Sequence, residues 1–155
     1  MFIIFAPLSV MLISIAIYFS LPKNPDIIID YDATVVAYKY GEDSTEYTFS
    51  DSGNNFIKNI WLKNKSINFK NTFKNNIYLQ CSNGNCFTEK NNFRISFLQN
   101  ILDYDEACAE SSLIIMQISK PFICEKAIVI DKDFLILHGS TAIYLSTKIN
   151  IITNK

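Results

Sequence analysis

From Phe2 to Pro22 the chain carries no charged side chain and is dense in Ile, Leu, Phe, Val and Met. A bilayer core of roughly 30 Å is crossed by about 20 apolar residues in a helix, so this segment is long enough to span one. Pro7 falls near its start, where a missing backbone donor costs little. A secretory signal peptide is the main rival, but Phe2 follows Met1 with no basic region and no A-x-A-like cleavage site precedes Pro22. A buried core helix is the third reading. The expectation is an uncleaved transmembrane anchor over 1–22, one α/β domain over 23–150, and a tail over 151–155.

About 130 residues beyond the anchor suffice for one domain with its own core. A formal charge of −1 and an isoelectric point near 5.8 carry no general nucleic-acid signature. The abundance of Ile, Lys and Asn reads as codon bias, so surface Lys and Asn are poor functional signals.

Pro22-Lys23-Asn24-Pro25 breaks regular structure between anchor and domain. Ile27-Ile28-Ile29, Thr34 to Tyr38 and Thr45 to Phe49 read as strands, with Asp30-Tyr31-Asp32 and Gly41 to Ser44 turning between them. Asp51 to Asn54 offers helix caps ahead of a helix over about 55–63, with Phe56, Ile57, Ile60 and Trp61 at helical spacing. Strands are expected at Asn76–Cys81, Asn85–Thr88 and Phe93–Leu98. Asp103 is placed to cap a second helix, Tyr104 to Glu110, whose first turn holds Asp105 and Glu106. Leu113 to Met116 and Ala127 to Ile130 read as strands covered on both faces. Phe134–Leu137 and Ala142–Ser146 are expected to pair around His138-Gly139-Ser140. The class is α/β or α+β: a strand-rich sandwich with two short helices.

Four cysteines pair in three ways. Cys81 to Cys86 places Asn83-Gly84 at the centre of a type I′ hairpin turn, which sets Cys81 and Cys86 opposite each other at a non-hydrogen-bonded pair. That separation lies near the short end of the disulfide range. Cys108 and Cys124 then pair by elimination. Two disulfides require an exported domain. Four buried free thiols and a zinc site remain alternatives, the second a weak match to C-x4-C plus two distant cysteines.

The spacing of several stretches resembles the C-terminal region of ComEC-type competence proteins, the inner-membrane channels for incoming single-stranded DNA. The likeness is to the Gram-negative branch whose terminal metallo-β-lactamase-like domain lacks the metal motif. The matching stretches are Pro25 to Ile29 and Phe56 to Leu62 (similar to "RFVAERWL"), then Cys81 to Cys86 ("CDxxGC") and Ala107 to Ile115 ("DCARADLVV"). Cys124 with Ala127 to Asp131 ("C…ALVID") and Gly139 to Leu145 ("GAHALWL") follow in order. They cover residues 21 to 145. The acid of "CDxxGC" is absent here, and Thr141 stands where that branch has a histidine, with His138 on the other side of Gly139. The resemblance implies a degenerate metallo-β-lactamase-like domain behind the last channel helix, on a single-pass chain in the inner membrane with its domain in the periplasm. It also implies a separately encoded channel subunit as partner.

Catalysis is not expected. A metallo-β-lactamase-type hydrolase needs several histidines and aspartates to hold its metal, and His138 is the single histidine of the chain. No motif surrounds His138 with Ser140 or Thr141 for serine chemistry. Asp103, Asp105 and Glu106 read as helix-start residues, and Asp30 and Asp32 as turn residues. No metal and no cofactor is expected. Residues 52 to 88 contain Lys58, Lys63, Lys65, Lys70 and Lys74 and no acid, interleaved with Trp61, Phe69, Phe73 and Tyr78. Basic-plus-aromatic composition suits single strands, so Lys58, Trp61, Lys63, Lys65 and Lys70 are the candidate DNA contacts. The plainer reading is a solvated helix and loop. Lys23, just after the anchor, argues mildly for a cytoplasmic domain; the cysteines argue for an exported one.

Overall fold

Alternation of side chains along the strands builds the architecture. In β1 (Ile27–Ile29) the first and third isoleucines join one core cluster and Ile28 joins another. β2 (Val36–Lys39) does the same, Val36 and Tyr38 facing one way and Ala37 the other. A period of two with both faces apolar means a sheet covered on both sides.

The computed structural model describes Met11 and residues 24–154, leaving aside 40, 42–44, 51–54, 65–67 and 74–75. Apart from Met11, the expected anchor over 1–22 lies outside the described residues, as do the expected caps at Asp51 to Asn54. Among the described residues no helix is long and apolar enough to cross a membrane.

Two sheets form the sandwich. β1 and β2 are followed by β3 (Glu46–Phe49), helix α1 (Asn55–Asn64) and β4 (Asn68–Thr72). Next come β5 (Gln80–Ser82), β6 (Asn85–Lys90), β7 (Phe93–Leu98), helix α2 (Tyr104–Glu110), β8 (Leu113–Met116) and β9 (Ile128–Ile130). Helix α3 (Lys132–His138), β10 (Ser140–Leu145) and β11 (Ile149–Asn154) complete the chain's described part. The first sheet has the order β11-β10-β1-β2-β3-β4 and the second β5-β6-β7-β8-β9. Between them lie Ile27, Ile29, Tyr38, Ile143 and Leu145 against Ile95, Phe97, Leu113, Ile115 and Ile130. Each such side chain taken fully from water contributes about 1.5–3 kcal/mol.

The outer faces are covered by helices. α1 lays Ile57, Trp61 and Leu62 on Ile28, Val35, Ala37, Tyr47 and Phe49 of the first sheet. α2 brings Tyr104 and Ala107 onto Leu98, Ile114 and Met116 of the second, with Cys124 and Ala127 from the following loop beside them. The strand-rich α+β sandwich expected from sequence is present, with three short helices rather than two.

The third helix is a correction. Phe134–Leu137, expected as a strand, is helical because Asp131 caps α3, its Oδ1 accepting from Phe134 N at 2.8 Å. The closing strand pair is instead β10 with β11, so residues 151–154, expected as a tail, are strand. Asp103 makes no side-chain cap on α2; its carboxylate accepts from Asn85 Nδ2 at 2.7 Å. β9, expected to be covered on both faces, is an edge strand with Ile128 exposed. β5 begins only at Gln80, after a turn in which Asn76 Oδ1 accepts from Tyr78 N. β4 was not anticipated, its polar Asn68 and Asn71 hiding the alternation.

Candidate functional site

Both disulfides form, Cys81–Cys86 and Cys108–Cys124, with Cα separations of 4.0 and 5.7 Å. Cys81 and Cys86 are opposed in the β5–β6 ladder across an Asn83-Gly84 turn in which both residues have positive φ, 50° and 86°. That is the geometry a type I′ turn demands. No cysteine is free, so the thiol and zinc alternatives fall away.

A buried polar group that ties several strands together was not singled out by its sequence. It lies where the chain enters the domain. Asp26, at the start of β1, is 8% exposed. Its Oδ1 meets Lys90 Nζ at 2.8 Å and Lys39 Nζ at 3.5 Å. Its Oδ2 accepts from Leu145 N at 2.7 Å, and its backbone pairs with Ile143 and Lys39. Lys90 Nζ also donates to the carbonyls of Lys39 and Gly41. Lys39 Nζ reaches Asn24 O, the Tyr47 hydroxyl donates to Pro25 O, and Asn91 Nδ2 donates to Leu145 O. Three segments distant in sequence, around Lys39, Lys90 and Leu145, are thus drawn to one carboxylate. Lys90 Nζ thus meets three acceptors, which makes it a fastener. Discounting lysines as compositional noise concealed this. The available signal was an acid placed directly ahead of an all-apolar strand.

A groove of about 420 Å³ runs beside this group, lined by Tyr38, Gly41, Tyr78, Thr88, Glu89, Lys90 and Asn91. Tyr78, Thr88 and Glu89 also line a neighbouring hollow of about 250 Å³ with Gln80, Phe87 and Arg94. Arg94 is ion-paired to Glu110.

A second polar cluster sits at the opposite end of β1. Asp30 Oδ1 accepts from Val35 N at 3.0 Å and its Oδ2 from the Thr34 hydroxyl at 2.9 Å, while Asp32 Oδ1 accepts from Thr34 N. Burial pushes the Asp30 carboxyl up to about 6, against the Val35 bond that favours its ionised form. Burial also raises Asp32, but the hydrogen bonds from Thr34 outweigh it and hold Asp32 below its ordinary value. These bonds close the turn, as the sequence suggested, and let Ala33 take φ 60°. Among the described residues no group of three or more His, Cys, Asp and Glu is placed to hold a metal.

The remaining named residues scatter. His138 closes α3, its Nδ1 on Phe134 O at 2.9 Å and its ring stacked on Phe134. Thr141 donates its hydroxyl to Gly139 O. Of the candidate DNA contacts, Trp61 is half-buried and stacked on Phe49, and Lys58 donates to Ser50 O at 2.8 Å. Lys63 is exposed near the end of α1. Lys65 lies outside the described residues, and Lys70 belongs to β4. α1 and β4 carry these positions on separate elements, and the described contacts bring none of them together.

No known protein family matches this chain, and neither curated proteins nor solved structures contain a match to it.

Proposed function

We propose that this chain is a non-catalytic, membrane-anchored tail of a ComEC-like DNA-uptake channel, with a degenerate metallo-β-lactamase-like domain in the periplasm that docks on a separately encoded channel part. One observation carries the reading: each of the six stretches of the resemblance holds a residue that helps fasten the fold to itself. Asp26 of the first holds Leu145 of the last. Trp61 of the second packs on Phe49 beneath α1. Cys81 joins Cys86 within the third, and Cys108 of the fourth joins Cys124 of the fifth. A likeness concentrated on a framework supports common architecture rather than a common reaction. The two disulfides support an oxidising compartment.

The test is thiol labelling of intact cells with a membrane-impermeant reagent, followed by isolation of the full chain with its membrane neighbours. We expect labelling only after reductant is added from outside, and recovery of a polytopic channel protein. Labelling without reductant, or a chain recovered alone from cells whose DNA uptake survives its deletion, would refute the proposal.

The single-strand contact through residues 52–88 is the second reading, and exposed Lys63 is what favours it. It predicts salt-dependent binding that disappears when Lys58, Lys63 and Lys65 become Glu.

A further inference from the structure

A sheet edge offers a row of unpaired backbone groups, and folded proteins blunt such edges with shortness, charge, bulges or cross-links. Among the described residues, three of the four edges are blunted. The register of β4 with β3 shifts between Tyr47 and Thr48. β5 is three residues long and bonded to β6 by Cys81–Cys86. β9 is three residues long. β11 is twice that length and carries no cross-link, and its nearest charges, Lys148 and Lys155, stand only outside the strand. Ile149-Asn150-Ile151-Ile152-Thr153-Asn154 has no charge and no proline, and it pairs with β10 in unbroken register from Leu145↔Ile149 to Ser140↔Asn154.

Which groups β11 leaves open follows from its neighbours. Asp26 N donates to Ile143 O and Leu145 N donates to Asp26 Oδ2, so Ile143 and Leu145 turn their backbone groups toward β1. Ala142 and Tyr144 therefore face β11, where Ile152 and Asn150 answer them. Ile149, Ile151 and Thr153 then point N–H and C=O outward.

We propose that this edge joins two copies of the chain, β11 pairing antiparallel with itself about a two-fold axis at Ile151, so that two six-stranded sheets become one. The strand fits its own copy. Ile149 of one copy falls opposite Thr153 of the other, and each outward group meets its complement. With no charge between 149 and 154, no like charges oppose each other within the strand, and Lys148 comes opposite Asn154. Ile152, 58% exposed, gains the other copy's strand as cover. An isologous interface of this kind closes on itself and makes a dimer, not a filament.

The experiment uses the full chain in detergent micelles, mixed from isotopically light and heavy preparations and treated with a short amine cross-linker. Within one chain β11 holds its ends roughly 20 Å apart, so a short Lys148–Lys155 link forms only between copies. We expect that link between light and heavy chains, a dimeric mass, and hydrogen-exchange protection of Ile149, Ile151 and Thr153 that falls on dilution. Ile152→Lys and Thr153→Pro alter an exposed side chain and an outward N–H, sparing the ladder to β10. Each is expected to weaken association roughly tenfold or more, with all four cysteines still resistant to alkylation. A monomer at every concentration overturns the proposal. So does a dimer indifferent to both variants, or a monomer in which those three amides are protected by another strand.

Discussion

The two sheets are fastened by different chemistry. All four cysteines lie on the β5–β9 side, in β5, β6, α2 and the loop after β8. The sheet built around β1 has none, and its central strand is held by the Asp26 carboxylate, two lysines and the Leu145 amide. The covering layers explain the difference. α1 has ten residues and lays Trp61 flat on Phe49. α2 has seven, and the loop that completes its layer is irregular. A covalent link from Cys108 to Cys124 fixes that loop where packing alone would not. Reductant and charge substitution should therefore loosen different halves.

The largest effect is expected from Asp26→Ala. It takes the opposing charge from two buried ammonium groups and the acceptor from an amide, which costs about 3–5 kcal/mol, read from urea unfolding under oxidising conditions. Replacing Cys108 and Cys124 together by Ser should cost about 3 kcal/mol, because the link closes the longer loop, 16 residues apart. The same exchange at Cys81 and Cys86, five apart, should cost about 2 kcal/mol. Reversal of that order in urea midpoints would show that chain entropy is not what the links supply. Tyr104→Phe removes the hydroxyl that donates to Phe122 O at 2.9 Å, and should cost about 1 kcal/mol in thermal unfolding.

Acidity should act on the β1 side, and in the stabilising direction. Asp30 is raised from 3.8 to about 6 in the fold, so between those values the native state holds more of its proton than the unfolded chain does. Stability should thus rise as pH falls from about 6 toward 4. Asp32, shifted the other way, begins to oppose this only below its unfolded value of 3.8. Unfolding at a series of pH values should show this gain in the wild type and lose it in Asp30→Asn.

The cysteine-bearing half was the more legible in sequence. Asn-Gly between two cysteines fixes a hairpin register locally, and Leu113 to Met116 is unbroken apolar sequence that becomes the buried strand β8. The other half depends on partners far along the chain. Nothing near Asp26 in sequence announces Lys90 or Leu145, and nothing near Phe134 to Leu137 marks helix over strand except the Asp131 cap. Apolar runs of four residues suit either state, and tertiary contacts decide. Trp61 shows the same limit: composition offered it to a nucleic acid base, while packing gave it to Phe49.

The bond from Leu145 to Asp26 joins residues 119 apart in sequence, and this sets an order of events during synthesis. β1 leaves the ribosome before the rest of the domain, yet its place in the sheet is between β2 and β10. Until residues 140–145 emerge, one flank of β1 stays unpaired and the Asp26 carboxylate lacks one of its donors. Contacts of such long separation form late and slowly. The chain must therefore spend the interval of its own translation with its most apolar strand half-dressed, a state in which a chaperone would find it.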